Sequence, residues 1–400
     1  MAEFDRYGEV AVIDLDAALR NTKPDGSTAN TAILKKLLRL GNVRVGGGIR
    51  DTKKAKELLS LGAEKIIIGS AAFSPEPGQE SDFTGVNTVF LERMVQAIGR
   101  EHIIISVDAR DGKIAVKGWT ETTEINLIDG AKAVESYCSE LLFTCVEKEG
   151  TMSGINMDMV RELRSAVSCR LVVAGGVSSL EEITSLEKEG CDVQLGMALY
   201  TGKVSLKEGF ISCLNWEKVP LIPVVAQSDT GEVLMLGYAN REAFEKTFDT
   251  GKLTFWSRTR NVLWTKGASS GNTLDVIRLR ADCDRDTVLA TVRPNGPVCH
   301  TGAWTCFSSS ADRPYSLSYL SSIIAGRFAN PVPGSYTATL TPERVREKIM
   351  EEAEELTEAE DKNEVIWECA DLLYFVNVLM HHENVSWKDV LDELDRRHKK

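Results

Sequence analysis

Seven short apolar runs, ending near Gly, Asp or Thr and separated by amphipathic stretches, constrain the first half of this 400-residue chain more than any other feature. They are Val10–Leu15, Val43–Val45, Lys65–Ile68, Ile103–Val107, Leu141–Thr144, Leu171–Ala174 and Val193–Leu195. Apolar strands alternating with helical segments predict a parallel sheet covered by helices. The length of the stretch, residues 1–215, suits a (β/α) barrel.

Two other textures follow. Trp216–Pro220 reads as a linker, and residues 221–308 are strand-rich, with turns at Asp229-Thr230-Gly231 and Ser270-Gly271-Asn272. Ser308–Pro314 reads as a polar linker, and from Tyr315 onward the pattern is helical with few breakers. Three domains are expected. They are an α/β, TIM-barrel-like domain over 1–215, a β-rich α+β domain over 216–310 and an all-α domain over 311–400.

Composition narrows the partners. At 43% hydrophobic and 26% charged, the chain has ordinary globular composition. It carries no signal-peptide pattern and no apolar run of membrane length. Nine cysteines, an odd number without regular pairing, predict a reducing, cytoplasmic setting. A net charge of −12 argues against nucleic acid or an anionic membrane as partner. Residues 341–400 hold 17 acidic and 9 basic residues, so a phosphate-bearing substrate there requires a bridging divalent cation.

Residues 282–306 carry the densest chemistry. Asp282-Cys283-Asp284-Arg285-Asp286 precedes the alternating, β-branched run Thr287–Val292, so it reads as the start of a strand. Alternation then puts Asp282, Asp284 and Asp286 on one face and Cys283 on the other. The three carboxylates suit Mg²⁺, and the thiols of Cys283, Cys299 and Cys306 suit Zn²⁺. His300, beside a zinc-type thiol, stands where a hydrolase places an acid or base. A purely structural zinc would call for a fourth Cys or His at short spacing, which is missing.

A second constellation lies in the helical segment. Glu352 and Glu355 are three residues apart, as are Glu368 and Asp371, so each pair shares a helix face. Two such helices facing each other form a carboxylate cage for Mg²⁺ and a pyrophosphate. A solvated acidic face is the plainer reading. Apolar bulk from Trp367, Leu372, Leu373 and Tyr374 around the second pair argues against it.

Thr254–Arg260, Leu263–Gly267, Ser270-Gly271-Asn272, Asp282–Asp286, Cys299-His300-Thr301-Gly302 and Cys306 together resemble phosphoribosyl-AMP cyclohydrolase of histidine biosynthesis. The thiol spacings of 16 and 7 residues make the match specific. The resemblance implies zinc on Cys283, Cys299 and Cys306, the first supplied by a dimer partner, and magnesium on the three aspartates. It implies addition of zinc-activated water between N1 and C6 of the adenine ring, then ring opening. His300 is the acid/base candidate. Arg258, Arg260 and Lys266 are candidates for holding phosphate, with Lys266 also counted in the catalytic set. Trp256 and Trp264 either stack on the purine or pack the core.

Gly334–Ala338, Glu347-Lys348, Glu351–Glu355 and Trp367–Tyr374 resemble phosphoribosyl-ATP pyrophosphohydrolase, an all-α family. Glu352, Glu355, Glu368 and Asp371 match its metal positions, with Glu351 beside them and Lys348 one turn earlier for phosphate. Glu352 and Glu355 also count as catalytic. The product, phosphoribosyl-AMP, is the substrate of the preceding domain.

The first domain resembles the phosphoribosylformimino isomerase barrel through Val12–Asp16, Val45–Arg50, Ile68–Ala71, Val107–Gly112, Gly150-Thr151, Ala174–Val177 and Gly196–Tyr200. Asp14–Asp16 and Val45–Arg50 fit the family's second and third strands. The first βα unit, with its catalytic aspartate, therefore has no counterpart. Asp108 and Thr144 match later catalytic positions, and Cys145 stands where an acid commonly follows. The expectation is a degenerate barrel with a scaffold or regulatory role, keeping a phosphate site at glycines 175, 176 and 196.

The whole resembles the eukaryotic, fungal-type multifunctional histidine-pathway protein, without the histidinol dehydrogenase that follows in fungi. The expected function is a bifunctional, homodimeric hydrolase of phosphoribosyl-ATP and phosphoribosyl-AMP. The alternatives are a trifunctional enzyme whose barrel also isomerises and a non-catalytic, metal-stabilised binding module.

Overall fold

The computed structural model describes residues 2–23, 27–38, 41–75, 83 and 85–398. They form two units, Met1–Ala226 with Leu236–Arg293, and Gln227–Met235 with Pro294–Lys400. Among the described residues, no helix is long and apolar enough to cross a membrane.

The first unit begins with strands β1 (Val10–Ile13), β2 (Val43–Gly46), β3 (Ala63–Ile68), β4 (Ile103–Ser106), β5 (Ala109–Arg110), β6 (Lys113–Val116), β7 (Glu121–Asn126), β8 (Glu140–Thr144), β9 (Arg170–Ala174) and β10 (Asp192–Gln194). Seven of them form one parallel sheet in the order β1-β2-β3-β4-β8-β9-β10. These are the seven apolar runs of the sequence. The antiparallel sheet β5-β6-β7 is an insertion that the strand count did not foresee.

Strand alternation explains why the runs are continuously apolar. Ile67, Ile104, Leu142, Val172 and Ala174 form an inner cluster, against which Ala11 packs. Their alternates, including Ile66, Ile68, Ile103, Ile105, Leu141, Phe143, Leu171 and Val173, join the outer core beneath the helices. Both faces are dry, as in covered parallel sheets.

One step below the inner cluster, at the same parity, the residues turn ionic. Glu140 is fully buried and meets Arg44 Nη1 at 2.5 Å, Arg170 Nη1 at 3.0 Å and Lys65 Nζ at 3.5 Å. Arg170 Nη1 also reaches Glu9 Oε2 at 3.0 Å, tying β9 to the entry of β1, and Arg44 bonds Glu9 as well. Among the described residues, strand pairing does not join the edge strands β1 and β10. Arg170 spans that seam with charge.

The chain continues through β11 (Ile222–Ser228), β12 (Val233–Ala239), β13 (Thr254–Ser257), β14 (Val262–Thr265), β15 (Leu274–Ala281) and β16 (Val288–Pro294). A four-stranded sheet runs β12-β11-β16-β15, and β13 pairs antiparallel with β14. Ile222, Val224 and Ala226 of β11, and Val288, Ala290 and Val292 of β16, are buried at every second position, the signature of a sheet covered on one face. The helix Arg241–Thr250, capped by Asn240 and closed by Gly251 in the left-handed region, buries Phe244 and Phe248. Trp216 stands edge-on to Phe244, and Arg241 lies over its ring at 4.6 Å. The expected linker is thus packed.

In the second unit, helices Leu317–Ala329, Pro342–Glu358, Lys362–Glu383 and Trp387–His398 follow the strand-rich region. Leu320, Ile324, Leu340, Val345, Phe375 and Val378 form their core.

Candidate active sites

The acidic segment 282–287 is a turn between β15 and β16, not the start of a strand as the alternation suggested. Asp282 N donates to Thr287 O at 3.0 Å and Thr287 N to Asp282 Oδ1 at 3.1 Å, closing the loop. Arg285 takes φ 60°, which breaks extended alternation. The turn still brings Asp282, Asp284 and Asp286 together, each with a carboxylate oxygen within 4.8 Å of the others. Lys218 Nζ lies 2.5 Å from Asp284 and 2.5 Å from Asp286. Hydrogen bonding by that ammonium holds Asp284 below the usual carboxylate range. A set of three carboxylates is hard and anionic, which fits Mg²⁺.

Cys283 is exposed in this loop. Cys299 and Cys306 belong to the second unit, where the two thiols interact with each other. Thr301 Oγ1 donates to Cys299 Sγ at 3.1 Å, and this bond, more than any other contact, lowers the thiol below its ordinary value. Cys306 N donates to Leu234 O at 2.8 Å, fixing the chain there. His300 is exposed, with Nδ1 3.8 Å from Cys299 Sγ. A pair of interacting thiols, with Cys299 lowered, fits Zn²⁺.

The remaining cyclohydrolase candidates lie in the first unit. Trp264 is half-buried and sits across from Phe255, ring centroids 5.7 Å apart, which favours the packing reading of that tryptophan. Arg258 stacks 3.8 Å over Tyr238, a residue the sequence reading did not single out. Arg260 Nε donates to Ser257 Oγ at 3.2 Å. Lys266 is buried.

In the second unit, Glu352 from helix Pro342–Glu358 meets Glu368 and Asp371 from helix Lys362–Glu383, with ligand oxygens within 4.8 Å of one another. Burial first, then Glu355, Glu352 and Asp371 nearby, push the Glu368 carboxyl above its ordinary value. Lys348 Nζ bonds Glu351 at 2.7 Å and Glu352 at 2.9 Å. Crowded carboxylates relieved on one side by a lysine fit a divalent cation. Trp367 and Leu373 do not cover the second pair as expected, because they are 66% and 40% exposed. Only Glu352 of the cage is buried, and helix register rather than apolar cover gathers the acids.

At the barrel rim, Asp14 caps the short helix Leu15–Ala18 and accepts from Thr28 Oγ1 at 2.6 Å and Asn30 Nδ2 at 3.0 Å. Asp108 accepts from Ser106 Oγ at 2.6 Å and Trp119 Nε1 at 2.7 Å, with Thr144 also bonded to it. Burial raises the Asp108 carboxyl despite these donors. Cys145 Sγ contacts Glu147 Oε2 at 3.5 Å. Gly175 and Gly176 have φ of 84° and 86°, and any Cβ there would meet neighbours within 2.9 Å, so the close approach requires glycine. Trp119 was missed; the Gly118-Trp119 pair, in the turn between β6 and β7, was its signal.

Three family matches cover most of the chain. Residues 3–205 match the family described as histidine biosynthesis protein, 235–308 match phosphoribosyl-AMP cyclohydrolase and 317–398 match phosphoribosyl-ATP pyrophosphohydrolase. Relatives include the histidine biosynthesis bifunctional protein HisIE of Photobacterium profundum, 43% identical over 48% of this chain and 99% of that protein. The same-named protein of Campylobacter jejuni is 45% identical over 46% of this chain and 95% of its own length. That of Pyrococcus furiosus is 41% identical over 48% and 99%.

Proposed function

We propose a two-step hydrolytic sequence for this chain, which belongs to the histidine biosynthesis bifunctional HisIE family. The C-terminal helices release pyrophosphate from phosphoribosyl-ATP, and the strand-rich domain then opens the adenine ring of phosphoribosyl-AMP. The gathering of Glu352, Glu368 and Asp371 from two helices is the observation that carries the reading. It sits inside the matched pyrophosphohydrolase segment and would hold the divalent cation that an anionic polyphosphate needs.

Zinc on Cys283, Cys299 and Cys306 would supply a water that ionises near neutral pH, and magnesium on the two carboxylate sets would supply positive charge to phosphates. The rest falls to the chain's own side chains. Lys348, beside Glu352, holds a phosphate oxygen. His300, beside Cys299, moves a proton to the ring nitrogen as the bond opens. Arg258 and Arg260 orient the phosphoribosyl group. Cys283 of one protomer completes the thiol set of its partner, which makes the working unit a cytoplasmic homodimer.

The barrel is a degenerate, non-isomerising domain in this reading. Among the described residues, the edge strands β1 and β10 of the seven-stranded sheet do not pair, which supports it. The fused arrangement is the fungal type.

Single-site variants separate the steps. Glu352→Gln should leave phosphoribosyl-ATP unconverted while added phosphoribosyl-AMP is still opened. Cys299→Ser should release pyrophosphate and accumulate phosphoribosyl-AMP. Both activities surviving both changes would refute the assignment.

A further inference from the structure

The aspartate loop is held by the domain that precedes it. Arg285, at its centre, has φ 60°, a left-handed conformation that strains any residue but glycine unless its surroundings enforce it. Its guanidinium reaches back to the N-terminal sheet domain. Nε lies 3.5 Å from Glu187 Oε1 on helix Leu180–Lys188, and Nη2 lies 3.5 Å from Asp192 Oδ1 at the start of β10. The side chain is 19% exposed. Asp192 is itself fixed, because Arg170 Nε donates to its other oxygen at 2.6 Å, and Arg170 belongs to the ionic floor with Glu140 and Glu9.

The backbone of the loop is gripped from the same side. Asn215 N donates to Arg285 O at 2.8 Å, and Asn215 Nδ2 donates to Asp284 O at 3.4 Å. A continuous chain of contacts therefore runs from Glu140 through Arg170 and Asp192 to Arg285, which stands between Asp284 and Asp286. Groups that orient metal ligands from behind commonly change metal affinity by about 10–100-fold when removed.

We propose that Arg285, clasped by Glu187 and Asp192, is a positioning residue through which the N-terminal domain sets the aspartate loop and its affinity for a divalent cation. This gives the barrel a role that needs no isomerase chemistry. The inference rests on the reading that Asp282, Asp284 and Asp286 bind that cation.

The test is Mn²⁺ binding to the 400-residue chain, followed by electron paramagnetic resonance in a Glu368→Gln background that removes the other carboxylate site. Glu187→Gln and Arg285→Gln should each weaken Mn²⁺ about 10-fold. The double variant should be no worse than Arg285→Gln alone, because removing the guanidinium already breaks its contact with Glu187. Arg285→Lys should recover part of the affinity. Cyclohydrolase turnover should show a raised Mg²⁺ requirement with kcat at saturating Mg²⁺ little changed. Asp284→Asn serves as the reference. If it leaves Mn²⁺ binding unaltered, the aspartate-site reading is wrong. If it abolishes binding while Glu187→Gln and Arg285→Gln stay within twofold of the parent, the site stands and the positioning role is overturned.

Discussion

Nζ of Lys348 lies 2.9 Å from Oε1 of Glu352, one helical turn further along the same helix. It also bonds Glu351, and these two hydrogen bonds raise the ammonium above the ordinary lysine range. Lys348→Ala should lower kcat/KM for phosphoribosyl-ATP about 10–100-fold, the loss of one charge-assisted hydrogen bond. Phosphoribosyl-AMP opening by the same variant should be unchanged. Steady-state kinetics on both substrates check this.

His300 and Cys299 are neighbours with different predicted roles. His300→Ala should reduce phosphoribosyl-AMP turnover about 10²–10⁴-fold with bound zinc retained, because only a proton carrier is lost. Cys299→Ser should remove activity and zinc together. Metal content by atomic emission, measured beside activity, separates the two. A chelator should abolish ring opening in the parent, and added Zn²⁺ should restore it.

The ionic floor predicts a specific acid sensitivity. Burial opposes the Glu9 charge, but Arg44 and Arg170 hold its carboxyl at about 2, against an ordinary 4.5. A folded-state value below the unfolded one stabilises the fold above the unfolded value, and that stability is lost as pH falls through the folded one. Glu9→Gln should therefore cost about 2–3 kcal/mol at pH 7. The gap to the parent should close between pH 4.5 and about 2. Urea unfolding of both proteins at pH 7 and pH 3 measures it.

Trp119 donates to Asp108 at 2.7 Å, so this carboxylate is already hydrogen-bonded within its own domain. Asp108→Asn should leave both hydrolytic rates within about twofold of the parent. The ring-opened product should not be isomerised by either protein. Product analysis by mass after full turnover checks both statements.

The strand positions were legible because buried parallel strands are written as uninterrupted apolar runs, and all seven fall in the sheet. The aspartate trio and the Glu368–Asp371 pair were legible for a simpler reason: spacing of two or three residues keeps acids close in a turn or on a helix, whereas the third member, Glu352, comes from the facing helix and Glu355 falls outside the trio. The loop at 282–287 was misread because Thr287–Val292 promises a strand, whereas Arg285 in the left-handed region turns the chain just before it. Trp367 and Leu373 were misread because neighbours in sequence on a helix point to different sides, and these two face outward. The ionic floor was hidden because Glu9, Arg44, Lys65, Glu140 and Arg170 lie on five separate segments, and nothing local pairs them. The same distance in sequence hid the contact of Arg285 with Glu187 and Asp192.

The most direct measurement is the product sequence when the purified, metal-replete chain is given phosphoribosyl-ATP and followed by mass. The account predicts pyrophosphate and phosphoribosyl-AMP first, then the ring-opened formimino product, then a halt. Failure to release pyrophosphate, or phosphoribosyl-AMP that accumulates unopened, would contradict the two-step assignment. Onward conversion to the isomerised product would contradict the reading of the barrel.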